Sequence, residues 1–162
     1  KNGQTIPTLE EMIQLIGNAV PILIDLKDDG LTGEIIRLAD EHPEADIRLT
    51  GRRHHEMAEI HRARPKIPFL TQHHFDPLEI IHTASNLGAS GISLNMWLMN
   101  PLTYRLAKQN NLDVYLYTVN HPWLIRFFRR LYPDVAIFTN HPHRFKQPKA
   151  RKLKTSSKAK RK

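Results

Sequence analysis

The chain has 162 residues, a length suited to one domain, and its 40% hydrophobic content is enough for an ordinary core. It has no cysteine, which excludes disulfides and thiolate metal sites, and no apolar run approaches the roughly 18 residues of a membrane-spanning helix, so a cytoplasmic protein is expected. The net charge of +8 suggests nucleic-acid binding until it is divided: nine of the 24 Lys and Arg lie between Lys146 and Lys162, where no acid occurs, and the first 145 residues hold 15 basic against 16 acidic side chains. The chain begins with Lys1 and no signal segment follows, which suggests a fragment or a processed piece.

In chain order, Thr8 with Glu11 three residues later has capping-box spacing, in which each side chain satisfies the other's orphan amide. A helix is predicted over 9–17, burying Leu9, Met12, Ile13 and Ile16. Next comes PILIDLK, residues 21–27, a strand whose alternation puts Leu23, Asp25 and Lys27 on one face and Ile22, Ile24 and Leu26 on the other. One face turns polar at the C-terminal end, where parallel sheets and α/β barrels place their chemistry. Helical spacing follows in GEIIRLADEH, with Ile35, Ile36 and Leu38 inward, then strand-like ADIRLTG, then helical HHEMAEIHRA, stopped by Pro65. IPFLT, ASGISLN, DVYLYTVN and DVAIFTN are predicted strands, separated by helices in DPLEIIHTASNLG, NPLTYRLAKQNN and PWLIRFFRRLY. Pro101 and Pro122 stand where the first helical residue needs no amide donor.

Six strands alternating with helices over short connections require parallel strands and right-handed crossovers. Either a doubly wound sheet or most of a (β/α)8 barrel satisfies this. No GxGxxG or Walker-type loop follows a strand, so nothing points to nucleotide binding. Polar residues recur at the strand ends instead (Asp25, Lys27, Thr50, Thr71, Gln72, Asn95, Thr118, Asn120, Thr139 and Asn140), which favours a barrel mouth. His54-His55 and His73-His74 are adjacent pairs without ligand spacing, so no histidine metal site is expected; His73, in TQHHFD after a strand, is a candidate substrate contact at the mouth. The closing KQPKARKLKTSSKAKRK, residues 146–162, has no aromatic residue and no apolar period. It is expected to be a disordered basic tail behind a domain of residues 1–145, serving solubility or meeting an anionic partner such as RNA, lipid or an acidic protein.

TIPTLEEM, ILIDLK, ISLN, YLYTVN and IFTNHP, taken in order from Gln4 to Pro142, resemble the glycerophosphodiester phosphodiesterase family of metal-dependent TIM barrels. The resemblance implies an α/β fold: an incomplete (β/α)8 barrel whose six parallel strands correspond to the third to eighth. It implies a phosphoric diester hydrolase that releases glycerol 3-phosphate and an alcohol. It also assigns Asp25 to a divalent metal, Ca2+ or Mg2+, Lys27 to the substrate phosphate, and Tyr117 to a wall for the glycerol. Three departures accompany it. Asp25 stands where the family has Glu, Asn140 where it commonly has Asp, and the family's two opening strands, which carry His-Arg-Gly and Glu-x-Asp, are not matched ahead of PILIDLK, so no catalytic histidine is assigned. His61-Arg62 and His143-Arg144 repeat only the dipeptide, at a helix end and after the last strand. The chain alone is therefore expected to be inactive and to need help in binding metal. Other readings are a non-catalytic barrel acting as a binding module with a basic targeting tail, an Asp25–Lys27 pair that neutralises itself inside the barrel, and Tyr117 as a core aromatic.

Overall fold

The structure is a computed structural model that describes residues 5–73 and 76–144. The expected strands form a single parallel sheet: β1 (Ile22–Leu26), β2 (Ile47–Gly51), β3 (Phe69–His73), β4 (Gly91–Asn95), β5 (Asp113–Tyr117) and β6 (Ala136–Ile137). Each strand pairs with its sequence neighbours in the order β1-β2-β3-β4-β5-β6. A doubly wound sheet must reverse direction at a switch point, and this order never does; the chain winds one way into a curled half-barrel, an incomplete TIM-like α/β barrel. Helices α1 (Leu9–Ile16), α2 (Thr32–Glu41), α3 (His54–Ala63), α4 (Pro77–Leu87), α5 (Pro101–Gln109) and α6 (Pro122–Leu131) alternate with the strands. No helix among the described residues is long and apolar enough to cross a membrane. The expected tail, residues 146–162, lies outside the described residues, as do the boundary at 145 and His74 of the second histidine pair.

Local chemistry sets the helix ends. The Thr8–Glu11 box is present: Glu11 N donates to Thr8 Oγ1 (3.2 Å) and Thr8 N to Glu11 Oε2 (2.8 Å). Pro77 and Pro101 open α4 and α5 behind side-chain caps; Leu78 N donates to Asp76 Oδ1 (2.8 Å) and Thr103 N to Asn100 Oδ1 (2.9 Å). The start of α2 is capped from another helix, since Leu31 N (2.6 Å) and Thr32 N (2.9 Å) both donate to Glu56 Oε1 of α3. β6 is shorter than the sequence suggests. Phe138 still pairs with the neighbouring segment, its N donating to the Leu116 carbonyl oxygen (2.8 Å) and its carbonyl oxygen accepting from Val119 N (2.9 Å); past it the polar groups turn away: Asn140 N donates to Asn120 Oδ1 (2.9 Å) and Thr139 Oγ1 also reaches it (3.3 Å).

Strand alternation divides the sheet into a helix-covered face and a concave face. Leu49, Phe69, Ile92, Leu94, Val114 and Leu116 lie on the covered face and are essentially inaccessible. They form two clusters, one with Ile13, Ile35, Leu38, Met57 and Ile60 from α1–α3, the other with Ile80, Ala84, Ala107, Ile125 and Phe128 from α4–α6. β4 and β5 approach so closely that a Cβ on Gly91 would stand 2.5 Å from the Asp113 carbonyl oxygen, so only glycine fits there.

Candidate functional site

The concave face carries the polar half of the alternation. Register pairs Asp25 with Thr50, Gln72 with Ser93, and Asn95 with Tyr117. Leu23, Asp25, Thr50, Gln72, Ser93, Tyr117, Thr118 and Phe138 line a recess of about 300 Å³. One carboxylate, several neutral oxygen donors and two aromatic rings therefore face a common space at the C-terminal ends of the strands, where barrel chemistry is placed. Thr50 is only 7% exposed, and its Oγ1 has no hydrogen-bond partner among the described residues. A buried hydroxyl left unsatisfied costs free energy unless a ligand or water meets it; Thr71 Oγ1, under the helices, is equally unpartnered among the described residues, so it is the place of Thr50 in the recess beside Asp25 that makes its oxygen a candidate ligand.

Asp25 and Lys27 meet: Lys27 Nζ lies 2.6 Å from Asp25 Oδ2. The pair is not interior, because the side chains are 43% and 71% exposed respectively. Of the alternative reading of a self-neutralising pair inside the barrel, the pairing is present and the burial is not. The ammonium occupies a position that a cation on Asp25 would need. Tyr117 lines the recess, and its hydroxyl donates to the His73 carbonyl oxygen at 3.4 Å. The His73 imidazole projects from the face of β3 opposite to Gln72 and stands 3.5 Å from the Glu79 carboxylate of α4, so it sits at the mouth without lining the recess. Gln72 is held from behind by His54, whose Nε2 lies 3.0 Å from the Gln72 carbonyl oxygen. Burial pushes the His54 imidazole below its ordinary value, so it is neutral at neutral pH.

Of the other polar strand ends, Asn95 and Asn120 serve the chain itself, while Thr71, whose Oγ1 has no partner among the described residues, is turned away from the recess. Asn95 Oδ1 accepts from Trp97 N (3.1 Å), Asn120 gathers Thr139 and Asn140, and Thr71 faces the covered side. His61 of the first repeated His-Arg dipeptide places Nδ1 2.8 Å from the Ile67 carbonyl oxygen. Ser93 and Phe138 in the recess carry no sequence signal beyond strand phase. A second recess, also missed from sequence, opens beside the first at the ends of β1 and β2 and is lined by Leu26, Lys27, Arg52 and Arg53.

For a divalent cation, the first recess supplies the Asp25 carboxylate with Thr50 Oγ1 and the Gln72 side-chain oxygen nearby. This all-oxygen set suits Mg2+ or Ca2+, but only one member is charged. Among the described residues, the one trio of His, Asp and Glu side chains with ligand atoms within 4.8 Å of one another is Glu10, Glu41 and His42. That trio lies off the strands, and Arg37 already pairs with Glu10 and Glu41. The concave face therefore fits a cation held partly by this chain, and does not form a closed cage.

No protein-family model matches the chain, and no curated protein matches it significantly in sequence. Solved structures do match in shape. A Silicibacter pomeroyi protein provisionally assigned as a glycerophosphoryl diester phosphodiesterase superposes with a TM-score of 0.73 at 19% identity, covering 85% of this chain and 54% of its own. A glycerophosphodiester phosphodiesterase from Parabacteroides distasonis gives 0.71 at 17% identity, covering 88% and 63%. An Oleispira antarctica phosphodiesterase, solved with the product sn-glycerol-3-phosphate, gives 0.71 at 19% identity, covering 84% and 58%. The chain thus spans between about half and two thirds of the length of these structures. At such identities the likeness is one of fold: β1–β6 with their helices share the architecture of the glycerophosphodiester phosphodiesterase barrels.

Proposed function

We propose that this chain supplies the cation- and phosphate-facing part of a phosphoric diester hydrolase that cleaves glycerophosphodiesters to glycerol 3-phosphate and an alcohol. The observation that carries this is the single-carboxylate recess at the strand ends, with unsatisfied Thr50 Oγ1 opposite Asp25, in a fold whose solved relatives include one holding sn-glycerol-3-phosphate. Asp25, with Thr50 and Gln72 oxygens, would hold Mg2+ or Ca2+; when bound, such an ion polarises a phosphoryl oxygen and stabilises charge developing on it. Lys27 turns its ammonium from Asp25 to the substrate phosphate, adding positive charge where charge accumulates. Tyr117 and Phe138 offer flat walls to the glycerol carbons, while the Tyr117 hydroxyl stays tethered to His73.

Proton transfer is the part for which the described residues of this recess offer no group. No histidine among the described residues lines it, the sequence contains no His-Arg-Gly, and its Glu-x-Asp tripeptide, Glu44-Ala45-Asp46, leads into the N-terminal end of β2, away from the strand ends that carry the recess. That observation favours the second reading, a barrel that binds glycerophosphate ligands without turning them over. A missing acid or base commonly costs about 10²-fold or more, so the purified chain is expected to hydrolyse glycerophosphodiesters slowly or not at all while still binding sn-glycerol 3-phosphate. NMR titration of the chain with sn-glycerol 3-phosphate, with and without Ca2+, should shift Thr50 and Tyr117 resonances. Absence of any shift there would defeat both readings, and robust turnover lost in Asp25→Ala would defeat the second alone.

The basic segment 146–162 is proposed to hold an anionic partner independently of the barrel, since its charge has no acidic counterpart in the same stretch. Ending the chain after Phe145 is expected to leave Tm unchanged and to abolish retention on heparin. A drop in Tm of several degrees would mean that the segment packs on the domain.

A further inference from the structure

The second recess, about 310 Å³, has three cationic side chains among its four lining residues, Lys27, Arg52 and Arg53, with Leu26 as the fourth. It is built by a backbone constraint. Gly51 has φ +140°, and a Cβ there would lie 2.7 Å from the Leu26 carbonyl oxygen and 3.3 Å from Asp25 Oδ1. Only glycine lets the end of β2 press this closely against β1, and the two residues that follow are thereby set beside the Asp25–Lys27 pair. Arg53 is fixed through its Nε, which donates to the Lys27 carbonyl oxygen (3.2 Å) and stands 3.1 Å from Asp29 Oδ1. Its two Nη groups make no hydrogen bond among the described residues, and Arg52 makes no hydrogen bond or ion pair there. Lys27 is balanced by Asp25 and Arg53 by Asp29, which leaves Arg52 as uncompensated charge. Loading Asp25 with a cation would release Lys27 and leave the recess more positive still.

The two recesses meet at the Asp25–Lys27 pair. With phosphorus placed there and glycerol against Tyr117, the alcohol half of a diester projects over Arg52 and Arg53. Guanidinium forks with free Nη donors suit a carboxylate or a second phosphate, which they grip bidentately, and they repel a quaternary ammonium. We propose that Arg52 and Arg53, beside Lys27, form an anion subsite that selects glycerophosphodiesters whose alcohol carries its own acidic group, above all a phosphate, over those with cationic or neutral alcohols. This specificity rests on the glycerophosphodiester reading of the adjoining recess.

The test compares binding to the full 162-residue chain, by calorimetry with Ca2+ present, of glycerophosphocholine, glycerophosphoinositol 4-phosphate and inorganic phosphate. The wild-type chain should bind the phosphoinositol diester at least tenfold more tightly than the choline diester. The double variant Arg52→Ala, Arg53→Gln should lose that margin through a fall in affinity for the phosphoinositol diester, while affinity for glycerophosphocholine rises as the repulsion of its quaternary ammonium is relieved; both sites are exposed, so folding should be retained and circular dichroism would confirm it. Equal affinity for the two diesters, or a preference that survives the double variant, would overturn the subsite and spare the glycerophosphodiester reading. Binding of inorganic phosphate that depends on Arg52 and Arg53, with neither diester bound, would keep the anion site and overturn that reading. No binding of any of the three would overturn both.

Discussion

Phe69→Ala is expected to lower the stability of the domain by about 3–5 kcal/mol, the range for removing a fully buried aromatic ring. Phe69 is 0% exposed on the covered face of β3, and it packs in the cluster of Leu49, Met57, Ile60 and Ile67, with the His61 ring centroid 5.6 Å from its own. The ring is enclosed by α3 and by the strand below it. His61 is in turn pinned to the Ile67 carbonyl oxygen, so the surroundings have little freedom to collapse into the space left behind. Against a total of about 5–15 kcal/mol for an ordinary domain, the loss is large enough to bring part of the population out of the folded state. Phe138→Ala is the control: this ring is partly exposed on the concave face, so its removal should cost much less. Urea unfolding of the two variants measures the difference. Equal losses would mean that the concave face carries as much of the core as the covered one.

Much of this fold can be read from local pattern. The Thr8–Glu11 spacing, the prolines at helix starts and the alternation in PILIDLK each specify one element, and their unbroken succession specifies a parallel sheet. The site was less legible because it depends on strand phase and on neighbours distant in sequence. Gln72 and His73 are adjacent, yet a shift of one residue decides which faces the recess; Gln72 does, and the imidazole sits beside Glu79. Thr50 and Thr71 look equivalent at strand ends, but Thr50 lines the recess and Thr71 lies under the helices. Arg52-Arg53 reads as an ordinary basic loop until the φ of Gly51 and its contact with Leu26 are known. Alternation brought Asp25 and Lys27 near each other, and they do meet, but Lys27 lies past the end of β1, and alternation could not give their exposure, which is set by the segments around them and not by their own strand.

That exposure decides what the Asp25 and Lys27 variants should do. A buried pair broken on one side strands a charge and costs several kcal/mol, but a pair that is 43% and 71% exposed leaves either partner able to meet water. Asp25→Asn, Lys27→Met and the double variant should therefore all unfold within about 1 kcal/mol of the wild-type chain. Their ligand binding should differ far more. Among the described residues Asp25 is the only acid lining its recess, so Asp25→Asn removes the negative charge they offer to a cation there and should weaken Ca2+ binding by at least about tenfold. Lys27→Met acts in the opposite direction. The ammonium 2.6 Å from the carboxylate competes with the cation, so its removal should strengthen Ca2+ binding while weakening that of sn-glycerol 3-phosphate. Calorimetric titration of each variant with Ca2+ alone, then with sn-glycerol 3-phosphate, separates the two effects without relying on turnover. A lysine that served the cation site as a structural brace would give the reverse sign for Ca2+, with both affinities falling together in Lys27→Met. A carboxylate with no role beyond neutralising its neighbour would leave the Ca2+ titration of Asp25→Asn the same as that of the wild-type chain.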